Sequence, residues 1–200
     1  MKTKLATLSL LLVATPPLAG CISFGAKPPP TLLTLQAAAS PAVGAEQSSA
    51  HARSITIQVP ATPTAIATAR VPVQSTPTTI AYVKNAQWAE PPARLFARLL
   101  SDTVSARTNM VVLSTVQSIS DPSAVLTGEL RNFGLDAATH EAVVTYDAAL
   151  TRAGETSVEK RRFEARVPVT SIDAGSAGPA LSQAANQVAA EAADWVGAAR

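Results

Sequence analysis

The chain has 200 residues, 47% of them apolar but only 4% aromatic, and a formal net charge of +2. That length allows one domain of ordinary size plus tails, with a core of small and branched aliphatic side chains. Lys2 and Lys4 account for the net charge, and the longest basic run is Lys160-Arg161-Arg162, so the dense basic stripe of a nucleic-acid-binding protein is missing.

Residues 1–20 read as an export signal, with Lys2 and Lys4 as its positive start and 5–13 as a short apolar run. A membrane-crossing helix takes about 20 apolar residues, and no segment reaches that length. The mature chain is therefore expected to lack a transmembrane helix. The small residues Ala19 and Gly20 lead into Cys21, the chain's one cysteine, which excludes an internal disulfide. The stretch Leu18-Ala19-Gly20-Cys21 resembles the lipobox of bacterial lipoproteins. That resemblance implies cleavage before Cys21, a diacylglycerol on its sulfur, and an acylated amine with chains such as palmitate. Each buried CH₂ contributes about 0.8 kcal/mol, so two or three long chains hold a protein on a bilayer essentially permanently. Ile22, where an aspartate would imply inner-membrane retention, favours the periplasmic face of the outer membrane.

Residues 21–31, with the run Lys27-Pro28-Pro29-Pro30, read as the lipidated end and a proline-rich tether. Residues 32–200 read as the domain. A short strand is expected at 32–36, and the alternation Ile55-Thr56-Ile57-Gln58-Val59 predicts another, ended by Pro60 and Pro63. Residues 60–79 are rich in threonine and proline. An extended segment is expected at 78–83, with Pro72 and Pro77 favouring an edge or irregular position.

The clearest helix covers 88–107. Leu95, Phe96, Leu99, Leu100 and Val104 share one face, opposite Arg94, Arg98, Ser101, Asp102 and Ser105. Arg98 and Asp102 have the spacing of an exposed ion pair. Strands are expected at 110–116, 124–135, 141–151 and 159–169. A turn at Asp121-Pro122 and a hairpin at Gly154 separate them. Leu126 and Leu130 differ in parity from Phe133 and Leu135, which predicts a bulge near Arg131 or Asn132. A last helix is expected over 179–196, where Leu181, Val188 and Trp195 recur with alanines between them. The order predicts one α+β domain, with two helices on one face of a mostly antiparallel sheet.

No constellation for catalysis stands out. His51 and His140 lack ligand spacing, and neither a nucleophile elbow nor a phosphate-binding loop is present. No catalytic residue, metal or cofactor is therefore assigned. Glu129, Asp136, Glu141 and Asp147 alternate along strands as solubilising charges. Lys160, Arg161 and Arg162 read as a solvated hairpin edge rather than a headgroup site.

One segment stays outside this account: residues 82–96, YVKNAQWAEPPARLF, which places Tyr82 and Trp88 just ahead of a helix begun by Pro91 and Pro92. Trp88 could close the helix start as a hydrophobic staple. The pattern of tyrosine, tryptophan, proline and leucine, behind a lipobox, resembles the ABC-type transport auxiliary lipoproteins, the partners of MCE-type lipid transport systems. The resemblance extends over most of 21–200 and implies a non-enzymatic component. Its partners would be an MCE-domain protein and ABC transporter subunits, its task phospholipid transport between the two membranes, and self-association is left open. Cys21 maps as the lipidation site, and Tyr82, Trp88 and Pro91 map as signature or partner-binding positions. A pilotin-like lipoprotein docking an outer-membrane machine is the alternative.

Overall fold

The computed structural model describes residues 31–50, 52–114 and 122–198. Along them run β1 (Arg53–Ile57), β2 (Arg70–Thr76), β3 (Thr79–Gln87), α1 (Pro92–Arg107), β4 (Met110–Leu113), β5 (Ala124–Asp136), β6 (Glu141–Arg152), β7 (Val158–Pro168) and α2 (Ala174–Gly197). Cys21, the signal and tether, His51, Asp121 and the end of the strand expected at 110–116 lie outside the described residues.

The long strand β5 organises a mixed sheet. On one side it pairs antiparallel with β6, which pairs antiparallel with β7. On its other side two strands lie end to end. β1 runs parallel to its first residues, opposing Ile55 to Ala124, and β2 runs parallel to its last, opposing Val73 to Leu135. Ala61 fills the gap, receiving and giving backbone bonds at Gly128 and Leu130. β4 extends the sheet beyond β1, and β3 beyond β2. The long ladders are antiparallel, as expected. The parallel contacts are short.

The alternation of residues explains which face is buried. Leu126, Leu130, Tyr146, Leu150 and Phe163 point to one side and are fully covered. Both helices pack there: Phe96 of α1 meets Tyr146 at 5.2 Å between ring centroids, and Trp195 of α2 meets Phe163 at 5.7 Å. Leu95, Phe96, Leu99, Leu100 and Val104, the expected apolar face of α1, are all buried. Each such side chain contributes about 1.5–3 kcal/mol. On α2 the alanines at 184, 185, 189, 192 and 193 have no exposed surface, which lets that helix lie close to its neighbours. The Tyr146 hydroxyl donates to the Thr127 carbonyl at 3.0 Å, and burial pushes its pKa well above the tyrosine range. The bulge occurs where parity predicted it, between Leu130 and Asn132.

Four local expectations need correction. The first strand, 32–36, forms only an isolated parallel bridge from Leu33 to Trp88. Pro72 lies in β2, between β3 and β5, and not at an edge; a register shift beside it absorbs the missing donor. Gly134 faces it on β5, where a Cβ would overlap the Pro72 carbonyl oxygen and approach its ring carbon to 2.8 Å. Arg98 reaches back to Glu90 at 2.5 Å, leaving Asp102 outside the predicted pair. Burial raises the Asp102 carboxyl, opposed by the nearby Arg98 charge. Finally, α2 begins at Ala174, ahead of Pro179, because the Asp173 carboxylate accepts from the Ser176 N–H at 2.9 Å and caps the first turn.

Candidate functional site

The described chain joins the domain as a strap. The Leu33 N–H donates to the Gln87 carbonyl at 2.8 Å, and the Leu33 carbonyl accepts from the Ala89 N–H at 2.9 Å. Leu33, Leu35 and Ala37 pack against the core, with Leu33 over Gly178 of α2. Asn186 then grips the strap with both ends of its amide: its oxygen accepts from the Ala38 N–H at 2.7 Å, and its nitrogen donates to the Gln36 carbonyl at 3.0 Å. Further on, Gln47 and Ser105 exchange hydrogen bonds across to α1. Sequence reasoning missed Asn186; a single polar residue among alanines on α2 is the only signal for it.

The three signature positions occupy different environments. Trp88 is 2% exposed, its ring 5.3 Å from Phe133, and its indole N–H is buried without a hydrogen-bond partner. Tyr82 sits partly exposed on β3 under the Arg70 guanidinium, 3.8 Å from its ring centroid. Pro91 is exposed at the N-cap of α1, where its φ of −51° sets the entry and Pro92 takes the first helical position. The strap bridges to Trp88 itself, so this segment is where the amino-terminal strap, β3 and α1 converge.

The sheet face away from the helices carries a lattice of charges. Asp147 receives two bonds from Arg162, at 2.6 and 2.7 Å, which hold its carboxyl below the usual range. Thr145 donates to Glu164 at 2.8 Å, and Arg166 joins Glu164 and Glu141. The Thr145 bond, then the Arg166 contact, lower the Glu164 carboxyl. Glu129, Glu141 and Asp147 thus serve as partners of arginine, while Asp136 accepts from the Ala138 and Thr139 N–H groups in the β5–β6 turn.

Beside this lattice lies a cleft of about 390 Å³, between the 63–66 loop and the β2–β3 hairpin. Pro63, Ile66, Pro72, Ile80 and Val143 supply apolar walls, and Arg131 and Asn132 stand at the polar side. Arg131 is held loosely, at 3.4 Å from Glu129 and 3.7 Å from Asp147. Only the threonine- and proline-rich composition of 60–79 hinted at this feature. Among the described residues no three histidine, cysteine or acidic side chains gather as metal ligands, and no helix is long and apolar enough to cross a membrane. His140 adopts a positive φ of 54° in a turn.

Comparison with curated proteins gives no match. Two solved structures share the fold. Protein XCC0632 from Xanthomonas campestris superposes with a TM-score of 0.70 at 21% identity, over 84% of this chain and 94% of that one. An uncharacterised protein superposes with a TM-score of 0.64 at 19% identity, over 72% of this chain and 92% of its own. At these identities the likeness concerns the fold alone. The family model for the ABC-type transport auxiliary lipoprotein component matches residues 33–193, a span running from the strap's first bridge almost to the end of α2. The chain therefore belongs to the ABC-type transport auxiliary lipoprotein component family.

Proposed function

We propose that this protein is a non-enzymatic component of an MCE-type ABC transport system that moves phospholipids between the inner and outer membranes. Cys21 carries the lipid anchor, residues 21–31 form the tether, and residues 32–200 form the working domain on the periplasmic face of the outer membrane. The observation that carries this reading is the family match over 33–193, directly behind the lipobox Leu18-Ala19-Gly20-Cys21. An auxiliary subunit needs a docking domain rather than a reaction centre, and ATP hydrolysis and membrane passage fall to partner chains. The arginine–carboxylate lattice gives the domain a solvated face, and the strap ties the anchored end to the fold beside Trp88.

The test has two arms. Cys21→Ser should abolish incorporation of an alkyne fatty acid and leave uncleaved precursor, as seen by gel shift and by mass spectrometry of the amino terminus. Continued labelling of that variant would remove the anchor assignment. The tagged protein, extracted in mild detergent, should bind a purified MCE-domain protein from the same envelope. Absence of that binding would remove the transport reading.

A further inference from the structure

Three outer strands bound the described sheet, and they differ in how they guard their unpaired backbone groups. Natural edges are guarded by charge, proline, bulges or shortness. β7 carries Lys160, Arg161, Arg162, Arg166 and Pro168. β4 has only four residues. β3 is guarded in its second half, by Lys84 and by Asn85 at a positive φ of 58°. Its first half, residues 79–83, reads Thr-Ile-Ala-Tyr-Val, with no charge, no proline and strong strand formers.

The same edge already accepts a strand. At its far end the strap pairs with it in parallel, through the Leu33 bonds to Gln87 and Ala89. Carrying that pairing backward along the chain would bring Pro28, Pro29 and Pro30 opposite β3. Three consecutive residues without an N–H cannot continue a ladder. The tether is thereby excluded as the occupant of 79–83. Ile80, on this stretch, is 47% exposed and forms one wall of the cleft with Pro63, Ile66, Pro72 and Val143. An open edge beside an apolar cleft is the arrangement by which extended peptides are bound: the backbone supplies affinity, and the cleft selects alternate side chains.

We propose that residues 79–83 of β3 and the adjoining cleft receive an extended, uncharged segment of a partner protein, which adds as a strand and places an apolar side chain against Ile80. The uncharged edge matches an uncharged strand, and the cleft, at about 390 Å³, suits side chains more than a whole lipid. This inference rests on the transport reading for the identity of its partner, the MCE-domain protein.

The experiment uses the mature, detergent-solubilised lipoprotein and a purified MCE-domain protein. Ile80→Lys places a charge on the exposed edge. Val158→Lys makes the same kind of change at an exposed apolar position on β7. Binding should weaken at least tenfold for Ile80→Lys and stay unchanged for Val158→Lys. Amides 79–83 of the unaltered protein should gain hydrogen-exchange protection in the complex, and this second readout decides the matter should Ile80→Lys fold poorly. Equal binding by both variants, with exchange at 79–83 unchanged, overturns the inference and leaves the transport reading standing. If the unaltered protein does not bind at all, the transport reading falls and takes this inference with it. Self-association that Ile80→Lys abolishes would assign the edge to a second copy and likewise overturn the proposal.

Discussion

Trp88 joins two properties that seldom coincide: almost complete burial and an indole N–H with no partner. Burial of the ring against Phe133 has to outweigh the desolvation of that donor, which costs about 1–3 kcal/mol. Trp88→Ala is expected to destabilise the fold by about 3–5 kcal/mol, measured by urea unfolding. Trp88→Phe, which deletes the orphan donor, should cost clearly less; equal losses would show that the N–H carries no penalty. The sequence showed that this tryptophan was unusual, because aromatics are scarce and it precedes two prolines. It could not show what surrounds the ring, since Phe133 lies far along the chain and Leu33 arrives from the other direction. Cys21 is the reverse case, a residue whose meaning is carried by its immediate neighbours in the chain.

Elements with strong internal periodicity were the legible ones. The apolar face of α1 and the parity break in β5 follow from local spacing alone, and both occur as expected. The start of α2 was not legible. Gly175, Gly178 and Pro179 are poor helix formers, and the Asp173 cap with the packing of Leu33 on Gly178 overrides them. The strap was mistaken for a strand because its apolar residues alternate, yet its backbone is held mainly by a side chain, Asn186, rather than by a ladder. Asn186→Ala should therefore raise hydrogen exchange at amides 33–38 by about tenfold, with β5 and β6 unaffected. Exchange rising equally in the sheet would mean that the strap and sheet open as one unit.

For the whole molecule, the sequence indicated the fold class and the helix side of the sheet, but not the parallel contacts of β1 and β2 with β5. Those join residues distant in the chain, and no local pattern encodes them. The same global arrangement sets the response to acid. The Arg162 bonds lower the Asp147 carboxyl, and the Thr145 bond lowers that of Glu164. The unfolded chain then binds more protons near pH 4 than the folded one. Their stabilisation is present above the unfolded pKa values and is lost as pH falls through the lower folded ones. Asp102, raised by burial, acts with the opposite sign. The urea midpoint should fall from about pH 5 downward, and Asp147→Asn should flatten that fall. An identical profile in the variant would place the acid sensitivity elsewhere.

The strap has a mechanical consequence. Its bonds at Gln87, Ala89 and Asn186 lie across its own direction, so tension from the amino end loads them together in shear rather than one after another. Thermal jostling of a tethered domain would reach β3 and α2 at the same moment. The sheet and its helices would be tugged as a single block, and the seam between them would feel little of the force.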